Sequence, residues 1–315
     1  MNIIESIRNK AAENLKTIVF PRSSDSRVVK AAEYLQKHTL CIPVLLKNGD
    51  HIKTDVEVIE IESHPNLEEY AHSFYEKRKH KGITYAQALE TIKDPLFFAS
   101  SMLVHGDADG SVAGSISSTG DVLRAAIQTI GLKEGSKVVS SIFLMSFDDG
   151  RVFTYGDCGV VPYPNSEQLA SIAIDSASTH QVLTGIGPKV AMLSFSSKGS
   201  AKHERVDLVT EALKLAKSQN PELSIDGELQ FDAAYVESVG RRKAPASNVA
   251  GKANVFIFPN LDAGNISYKI TERVGGATAT GPIIQGLAKP MMDLSRGCSW
   301  EDIVNEACVA ALLSN

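Results

Sequence analysis

The chain has 315 residues, of which 43% are hydrophobic and 22% charged, a composition typical of an ordinary folded protein rather than a disordered one. Its net charge of −5 and the absence of a strongly basic block exclude a nucleic-acid-binding protein. The length exceeds the size at which a single hydrophobic core usually stops growing, so we expect two domains.

Signals for export, membrane insertion and metal binding are missing from the sequence. Residues 1–8 are amphipathic and charged, and no stretch reaches the ~18 consecutive apolar residues that spanning a membrane requires. The four cysteines are far apart and lack CxxC spacing; they are Cys41, Cys158, Cys298 and Cys308. We therefore predict a cytoplasmic protein with reduced thiols, no membrane association and no metal.

Helical and strand patterns alternate along the chain. After an N-terminal helix, Thr17–Phe20 is a short strand, Asp25 is placed to cap a helix, and Cys41–Leu46 returns as a buried strand. This β-α-β order predicts a parallel sheet with helices on both faces. The region 65–104 is mostly helical, and strands and helices alternate again in the second half, in segments 138–145, 151–155, 165–173, 189–195, 203–217 and 253–258. The predicted fold class is α/β.

The segment His105–Gly110 has the acidic spacing of a calcium loop at first sight. The glutamate that closes such a loop is missing, so we predict a glycine-rich turn with acidic caps instead. Glycines around Ser117-Ser118-Thr119 would let the backbone approach a ligand closely.

Two further segments could contact an anion. The run Lys77–Gly82 is the most basic in the chain, and it is either a solvated face or a clamp for an anionic ligand. The loop Ser194–Ala201 follows a strand and precedes a helix, where α/β sheets bind ligands. Its Ser197, Lys198 and Gly199 suit a phosphate, although the segment is not a Walker loop and a plain connection is the alternative.

The C-terminal stretch 281–299 combines several unusual residues. Gly281-Pro282 and Lys289-Pro290 predict an irregular chain path, and Ser295-Arg296 stands just before a helix N-terminus. A hydroxyl, a guanidinium and the free N–H groups of a helix start together suit an oxyanion. The alternative is a plain loop in which Arg296 caps a neighbouring carbonyl.

Taken together, these segments resemble phosphate acetyltransferases of the short form, over essentially the whole chain. The resemblance implies two α/β domains with an active-site cleft between them, an isocitrate/isopropylmalate-dehydrogenase-like architecture and a homodimer. It also implies that the last helix returns to the first domain, which gives residues 1–143 with 298–315, and 144–297. The matching segments are Gly106–Gly110, Tyr155–Gly159, Ser194–Ala201, Asp226–Ala234, Asn254–Lys269 and Gly281–Cys298.

The implied reaction is reversible acetyl transfer between coenzyme A and inorganic phosphate, giving acetyl phosphate, with acetyl-CoA as a substrate and no cofactor or metal. The family pattern puts Ser295 and Arg296 at the reacting phosphate and carbonyl and makes Asp302 the base for the coenzyme thiol. It links Arg78 and Arg124 to coenzyme binding. The chain departs from the family at Pro21-Arg22, where Pro-Glu is frequent, and at Met292-Asp293, where Asn-Asp is frequent.

Local chemistry leaves some alternatives open. Without a Gly-x-Ser-x-Gly elbow, direct transfer in a ternary complex is favoured over an acyl-serine. Asp302 also fits a capping box with Ser299, three residues earlier. A butyryltransferase-like enzyme remains an alternative, as does a dehydrogenase-like or ligand-sensing relative on the same fold, although no Gly-x-Gly-x-x-Gly follows a strand.

Overall fold

The computed structural model of the protein describes residues 3–47, 49 and 52–314. The helices in these residues are α1 Ile3–Glu13, α2 Ser26–Lys37, α3 Leu67–Arg78, α4 Tyr85–Ile92, α5 Pro95–His105, α6 Thr119–Thr129, α7 Ser166–Thr184, α8 Glu204–Gln219, α9 Phe231–Tyr235, α10 Glu237–Lys243, α11 Leu261–Arg273 and α12 Trp300–Leu313, with a 3-10 turn at Lys79–Lys81. The strands are β1 Thr17–Phe20, β2 Ile42–Lys47, β3 Glu57–Glu60, β4 Gly110–Ala113, β5 Ser140–Ser146, β6 Val152–Gly156, β7 Val190–Leu193, β8 Ile225–Leu229, β9 Val255–Ile257, β10 Thr278–Gln285 and β11 Met291–Asp293. Within these ranges, every helix is too short or too polar to cross a membrane.

The chain forms two compact units, each with its own sheet. The first unit contains residues 4–133 and the residues from Leu287 onward. Its five strands are all parallel, in the order β11-β4-β1-β2-β3. The apolar strand β1 is central, and α2 and α12 pack against each other beside it. The predicted β-α-β unit of β1, α2 and β2 is confirmed, because the apolar face of α2 is buried as its spacing indicates.

The second unit contains Glu134–Gly286 and a six-stranded mixed sheet in the order β10-β5-β6-β9-β7-β8. β10, β5 and β6 pair antiparallel, and the other strands pair parallel. The predicted hairpin between β5 and β6 forms, and α7 and α8 pack together. The α/β class predicted from the alternating pattern is therefore found in both units.

Two helix starts lie where the sequence predicts them. The Asp25 side chain accepts a hydrogen bond from the backbone of Arg27 and begins α2. Asn165 begins α7 in a capping box with Gln168. These caps satisfy backbone N–H groups that the first turn of a helix leaves without partners.

The limits of the units differ from those drawn on the sequence. The structure divides the chain at 133/134 and 286/287, whereas the sequence prediction divided it at 143/144 and 297/298. Strand pairing explains both differences. β5 belongs entirely to the second sheet, and β11 pairs with β4 in the first sheet, so the chain returns to the first unit before the last helix.

The predicted irregular path after Gly281 is confirmed only in part, since 286–290 and 294–299 lie outside the strands but the rest of 281–299 does not. This stretch forms the end of β10 and all of β11. Pro282 lies where the register of β10 against β5 shifts between Thr280 and Ile283, so the missing N–H interrupts the ladder only locally. Pro290 precedes β11, and its carbonyl accepts a hydrogen bond from Ser111 at 3.0 Å.

Candidate active site

Three loops leave the carboxyl ends of neighbouring parallel strands in the first unit. They follow β1 at Phe20, β4 at Ala113 and β11 at Asp293. Ligands of open α/β sheets bind at this edge, because the strand ends there pass into the N-termini of helices. The predicted Ser295 and Arg296 lie in the third loop.

The Ser295-Arg296 loop is exposed and tightly turned. The backbone N–H of Cys298 donates to the Ser295 carbonyl at 2.9 Å, and the N–H of Gly297 donates to Ser295 Oγ at 3.3 Å. None of the ion pairs formed by the described residues involves Arg296. Arg296 precedes α12 by four residues, and its guanidinium is left without a competing carboxylate from these residues, as an anion ligand requires.

Asp302 forms the capping box that its spacing predicts. The backbone N–H and the hydroxyl of Ser299 donate to Asp302 Oδ2 at 2.8 and 2.9 Å, and the Asp302 N–H donates to Ser299 Oγ at 3.1 Å. The carboxylate is exposed. Both bonds that it accepts from Ser299 end on Oδ2, so a proton taken at Oδ1 would leave the cap in place.

Arg27, which the sequence did not single out, joins all three loops. Its Nη1 donates to the carbonyls of Arg296 and Cys298 at 3.0 and 2.7 Å, and its Nη2 donates to the Ser115 carbonyl at 2.9 Å. The same Nη2 pairs with Asp25 Oδ2 at 2.8 Å. The Ser295-Arg296 loop is thus fixed by a guanidinium 269 positions away in the chain.

The charges around Arg27 explain two pKa shifts. Burial alone would raise the pKa of Asp25, but hydrogen bonds from Arg27 and Ser115 hold it below its usual value. Burial raises the pKa of the Cys298 thiol, and the nearby Arg27 charge reduces that effect. Asp25 is therefore the stable counter-ion of Arg27, and Cys298 carries a protonated thiol at neutral pH.

Arg22, one of the departures from the family pattern, lies in the loop after β1. Its Nε donates to Ser117 Oγ at 2.8 Å, and its Nη2 lies 3.6 Å from Asp94 Oδ2. A polar cavity of about 400 Å³ opens beside it, with Ser23 and Lys93 in its wall. Arg22 thus ties the loop after β1 to the loop after β4.

Two carboxyl groups are buried behind the Ser295-Arg296 loop. Asp293 and Glu306 are each 2% exposed, and among the described residues neither Asp293 Oδ1 nor Glu306 Oε2 has a hydrogen-bond partner. Burial raises the pKa of Asp293 to about 6, and a hydrogen bond to Thr119 acts in the opposite direction. Burial raises the pKa of Glu306 to about 8, and the charges of Asp302 and Asp293 add to the shift.

Gly114 allows this close packing. Its φ is +96°, and a Cβ there would collide with Asp293 Oδ1 and the Leu294 backbone. At Gly114 the glycine-rich stretch therefore makes a close backbone approach to Asp293. Sequence reasoning also missed Glu306. The one sequence signal for this residue was its position, as a glutamate on the apolar face of the last helix.

The two predicted coenzyme arginines lie on neighbouring helices. Arg78 ends α3, and Arg124 on α6 pairs with Asp121 at 2.9 Å. Lys77 Nζ donates to the carbonyls of Thr129 and Ile130 at the end of α6, at 2.5 and 3.0 Å. Of the basic run, Lys77 thus joins the helices that carry Arg78 and Arg124, although the residue as a whole remains exposed.

The predicted phosphate loop of the second unit has its own partners. Lys198 Nζ donates to Asp226 Oδ1 at 2.6 Å and to the Gly227 carbonyl at 2.7 Å. The Gly199 N–H donates to Glu228 Oε1 at 2.7 Å, and Ser197 Oγ accepts from the Gln230 N–H at 2.9 Å. These bonds stabilise the loop against β8, so a contact from Lys198 to a substrate phosphate would have to replace them.

Comparison with known proteins places the chain. The family model for phosphate acetyl/butaryl transferases matches residues 2–311. The chain belongs to this family. The phosphate acetyltransferase of Acetivibrio thermocellus is 49% identical, over 99% of this chain and 98% of that protein. The solved structure of a phosphotransacetylase from Streptococcus pyogenes has a TM-score of 0.94 at 40% identity, covering 99% of this chain and 98% of that one.

The fold of this chain is also found in a structure assigned to a dehydrogenase. A structure assigned to 4-hydroxythreonine-4-phosphate dehydrogenase from Salmonella typhimurium has a TM-score of 0.51 at 10% identity and covers 96% of this chain and 99% of that one. At this identity the likeness concerns the fold alone. The predicted dehydrogenase-like architecture of this phosphate acetyl/butaryl transferase is thereby confirmed.

Proposed function

We propose that the chain catalyses the reversible transfer of an acetyl group between coenzyme A and inorganic phosphate, with acetyl-CoA, phosphate, acetyl phosphate and free coenzyme A as its substrates and products. The observation that carries this proposal is the exposed Ser295-Arg296 loop at the start of α12, in a chain of the phosphate acetyl/butaryl transferase family. Phosphate and the tetrahedral intermediate of acyl transfer are both anions, and this loop offers a guanidinium, a hydroxyl and a helix N-terminus.

The transfer is direct, within a ternary complex. The coenzyme thiol attacks the carbonyl carbon of acetyl phosphate, a carbon–sulfur bond forms, and the carbon–oxygen bond to phosphate breaks. Arg296 stabilises the leaving phosphate, and Ser295 donates to the carbonyl oxygen. Asp302 receives the thiol proton at Oδ1, and its cap on Ser299 is kept.

Arg78 and Arg124 bind the phosphates of coenzyme A. The support is their placement on α3 and α6, which Lys77 joins. Arg124 meets the ligand by leaving Asp121, an exchange that costs little because this ion pair is exposed and screened by solvent. Ser197, Lys198 and Gly199 contact substrate after giving up their bonds with Gln230, Asp226 and Glu228, of which the two acids are buried.

The protein is a cytoplasmic homodimer, and the dimer is supported by an exposed apolar stripe on α11 and its C-cap residue. Ile266, Ile270 and Val274 follow at intervals of four and are 56%, 55% and 83% exposed. A two-fold interface covers the same stripe on both partners. Ile270→Asp should shift the chain from dimer to monomer in analytical ultracentrifugation, and Val182→Asp on α7 should not. A dimer that persists in Ile270→Asp places the interface elsewhere.

The activity is tested by incubating the chain with acetyl-CoA and phosphate and measuring free thiol and acetyl phosphate. The assay contains a chelator and no nicotinamide nucleotide. Equal amounts of both products support the proposal. Butyryl-CoA in place of acetyl-CoA tests the longer acyl group. Thiol release without acetyl phosphate would reveal a hydrolase and contradict the proposed transfer.

A further inference from the structure

Glu306 is a buried acid that the proposed chemistry does not use. It lies on α12 four residues after Asp302, one turn further along the same face of the helix. Its neighbours on that helix, such as Ile303, Ala307 and Ala310, are fully buried. Glu306 itself is 2% exposed, and Oε2 has no hydrogen-bond partner among the described residues. A glutamate in such a place is costly unless it is neutral.

The charged groups that act on Glu306 are both acidic. They are Asp302 on its own helix and Asp293 at the end of β11. The strands β1 and β4, which also pack against α12, carry no titratable side chain. The negative charges near Glu306 are therefore not balanced by a cation from these strands.

The cations of α1 and α2 that contact α12 or the loop before it, Arg8, Arg27 and Lys30, have other partners. On α2, Arg27 donates a hydrogen bond to the loop before α12. Lys30 and Tyr34 contact the Trp300 ring. Glu33 accepts a hydrogen bond from Thr54. On α1, Arg8 bonds to Asn305. On α6, which packs against β11, Arg124 and Asp121 pair with each other. The Glu306 end of this pair is thus buried among apolar side chains, and the Asp302 end is exposed and bonded to Ser299.

We propose that Glu306 is a positioning residue for the acetyl transfer, coupled through its charge to Asp302, so that ionisation of Glu306 makes Asp302 a stronger proton acceptor. This inference rests on the proposed function of Asp302 as the base for the thiol. The coupling is reciprocal, because a charge on either carboxyl disfavours a charge on the other.

Geometry and titration agree on when this coupling acts. Burial and the two neighbouring carboxylates raise the pKa of Glu306 to about 8, so the side chain is neutral at pH 7 and ionises just above it. The enzyme then gains a negative charge behind Asp302 in the range where the coenzyme thiol itself begins to ionise.

The kinetic test compares the wild type with Glu306→Gln in the direction of acetyl-CoA formation. The ratio of their kcat values should be constant below pH 7 and rise about threefold in favour of the wild type by pH 9. Thiol ionisation and other common effects cancel in this ratio. A ratio that is the same at every pH would mean that Glu306 acts only in packing, and would overturn the proposal.

A second measurement does not depend on activity. Infrared titration of the wild type should show a protonated carboxyl band that disappears near pH 8 and is missing in Glu306→Gln. In Asp302→Asn the band should titrate at least about half a pH unit lower, because one repelling charge is gone. An unshifted band contradicts the coupling. If the band shifts but Asp302→Asn keeps its kcat, the coupling stands and the base role of Asp302 fails. This readout also decides the matter if Glu306→Gln does not fold.

Discussion

At the scale of single residues, Arg296 carries the anion-binding character of the loop. Arg296→Lys keeps the charge but loses the planar fork that binds two oxygens of a phosphate. We expect kcat/KM for phosphate and acetyl phosphate to fall at least about 30-fold, which corresponds to a loss of ~2 kcal/mol in transition-state stabilisation. The change in kcat/KM for coenzyme A should be much smaller. Steady-state kinetics of both substrates measure this. Arg241→Lys, on the exposed ion pair with Glu237, is the matched control.

Unchanged kinetics in Arg296→Lys would remove this residue from the proposed site. The reverse pattern, a loss confined to coenzyme A, would move Arg296 from the phosphate to the coenzyme.

Asp302 has two roles to separate, as helix cap and as base. Asp302→Asn keeps an oxygen for the Ser299 bonds but cannot accept the thiol proton. A base predicts that kcat falls ~100-fold or more while both KM values and the melting temperature stay nearly constant. Glu301→Gln, in the same helical turn, is the control. If kcat survives and only the melting temperature drops, Asp302 is a cap and another group takes the proton.

The residues that could be predicted from the sequence are those whose partners are near in the chain. The Ser299 and Asp302 capping box follows from a spacing of three, and the cap at Asp25 follows from its place before an apolar helix. Arg27 could not be found in this way, because its partners are the carbonyls of Arg296 and Cys298. No spacing rule connects residues so far apart.

At the scale of elements, the three loops at the carboxyl edge of the first sheet act together through Arg27. Arg27→Ala removes bonds to three backbone carbonyls and leaves Asp25, whose side chain is 7% exposed, without its counter-ion. We expect the free energy of unfolding to fall by about 2–3 kcal/mol and kcat/KM to fall at least ~10-fold as the Ser295-Arg296 loop loses its position.

Denaturant unfolding and steady-state kinetics measure the two effects of Arg27→Ala. Lys37→Ala, at the exposed end of the same helix, controls for the loss of a cation. Full activity in a destabilised Arg27→Ala would show that the loop keeps its conformation without this guanidinium.

Helices and strands with a regular apolar period were predicted well from the sequence. Strands that form only by pairing with strands distant in the sequence were not. The β-α-β unit at the N-terminus has a regular apolar period and was found. β10 and β11 contain or adjoin Gly-Pro and Lys-Pro, which locally indicate a break, yet pairing with β5 and β4 makes them strands. Tertiary pairing overrides the local preference there.

At the scale of the whole molecule, the buried acids make stability depend on pH. The folded chain holds the Glu306 proton up to about pH 8, whereas the unfolded chain releases it near 4.5. Between these values the folded state binds more protons, so the free energy of unfolding falls as the pH rises. In the wild type this decrease in the free energy of unfolding amounts to at most roughly 5 kcal/mol over that range. Glu306→Gln has no carboxyl at this position and should not show the decrease.

We therefore expect the melting temperature of Glu306→Gln, relative to that of the wild type, to be higher at pH 8.5 than at pH 5. Scanning calorimetry at both values measures this, and Glu301→Gln on the exposed face should show no such gain. If the difference in melting temperature between Glu306→Gln and the wild type is the same at both pH values, Glu306 is already ionised in the folded chain at pH 5.

The arrangement of the first unit has a consequence for how the chain is made. Its sheet ends with β11, and its helix α12 packs on β4 and α2, so residues from both ends of the sequence complete it. During synthesis from the N-terminus, Glu134–Gly286 emerges whole and can fold while the first unit still lacks its edge strand. The Ser295-Arg296 loop leaves the ribosome only after the whole second unit. A nascent chain of this transferase therefore stays inactive until β11, the Ser295-Arg296 loop and α12 have emerged, and nonsense mutations within these elements should yield a folded second unit without catalysis.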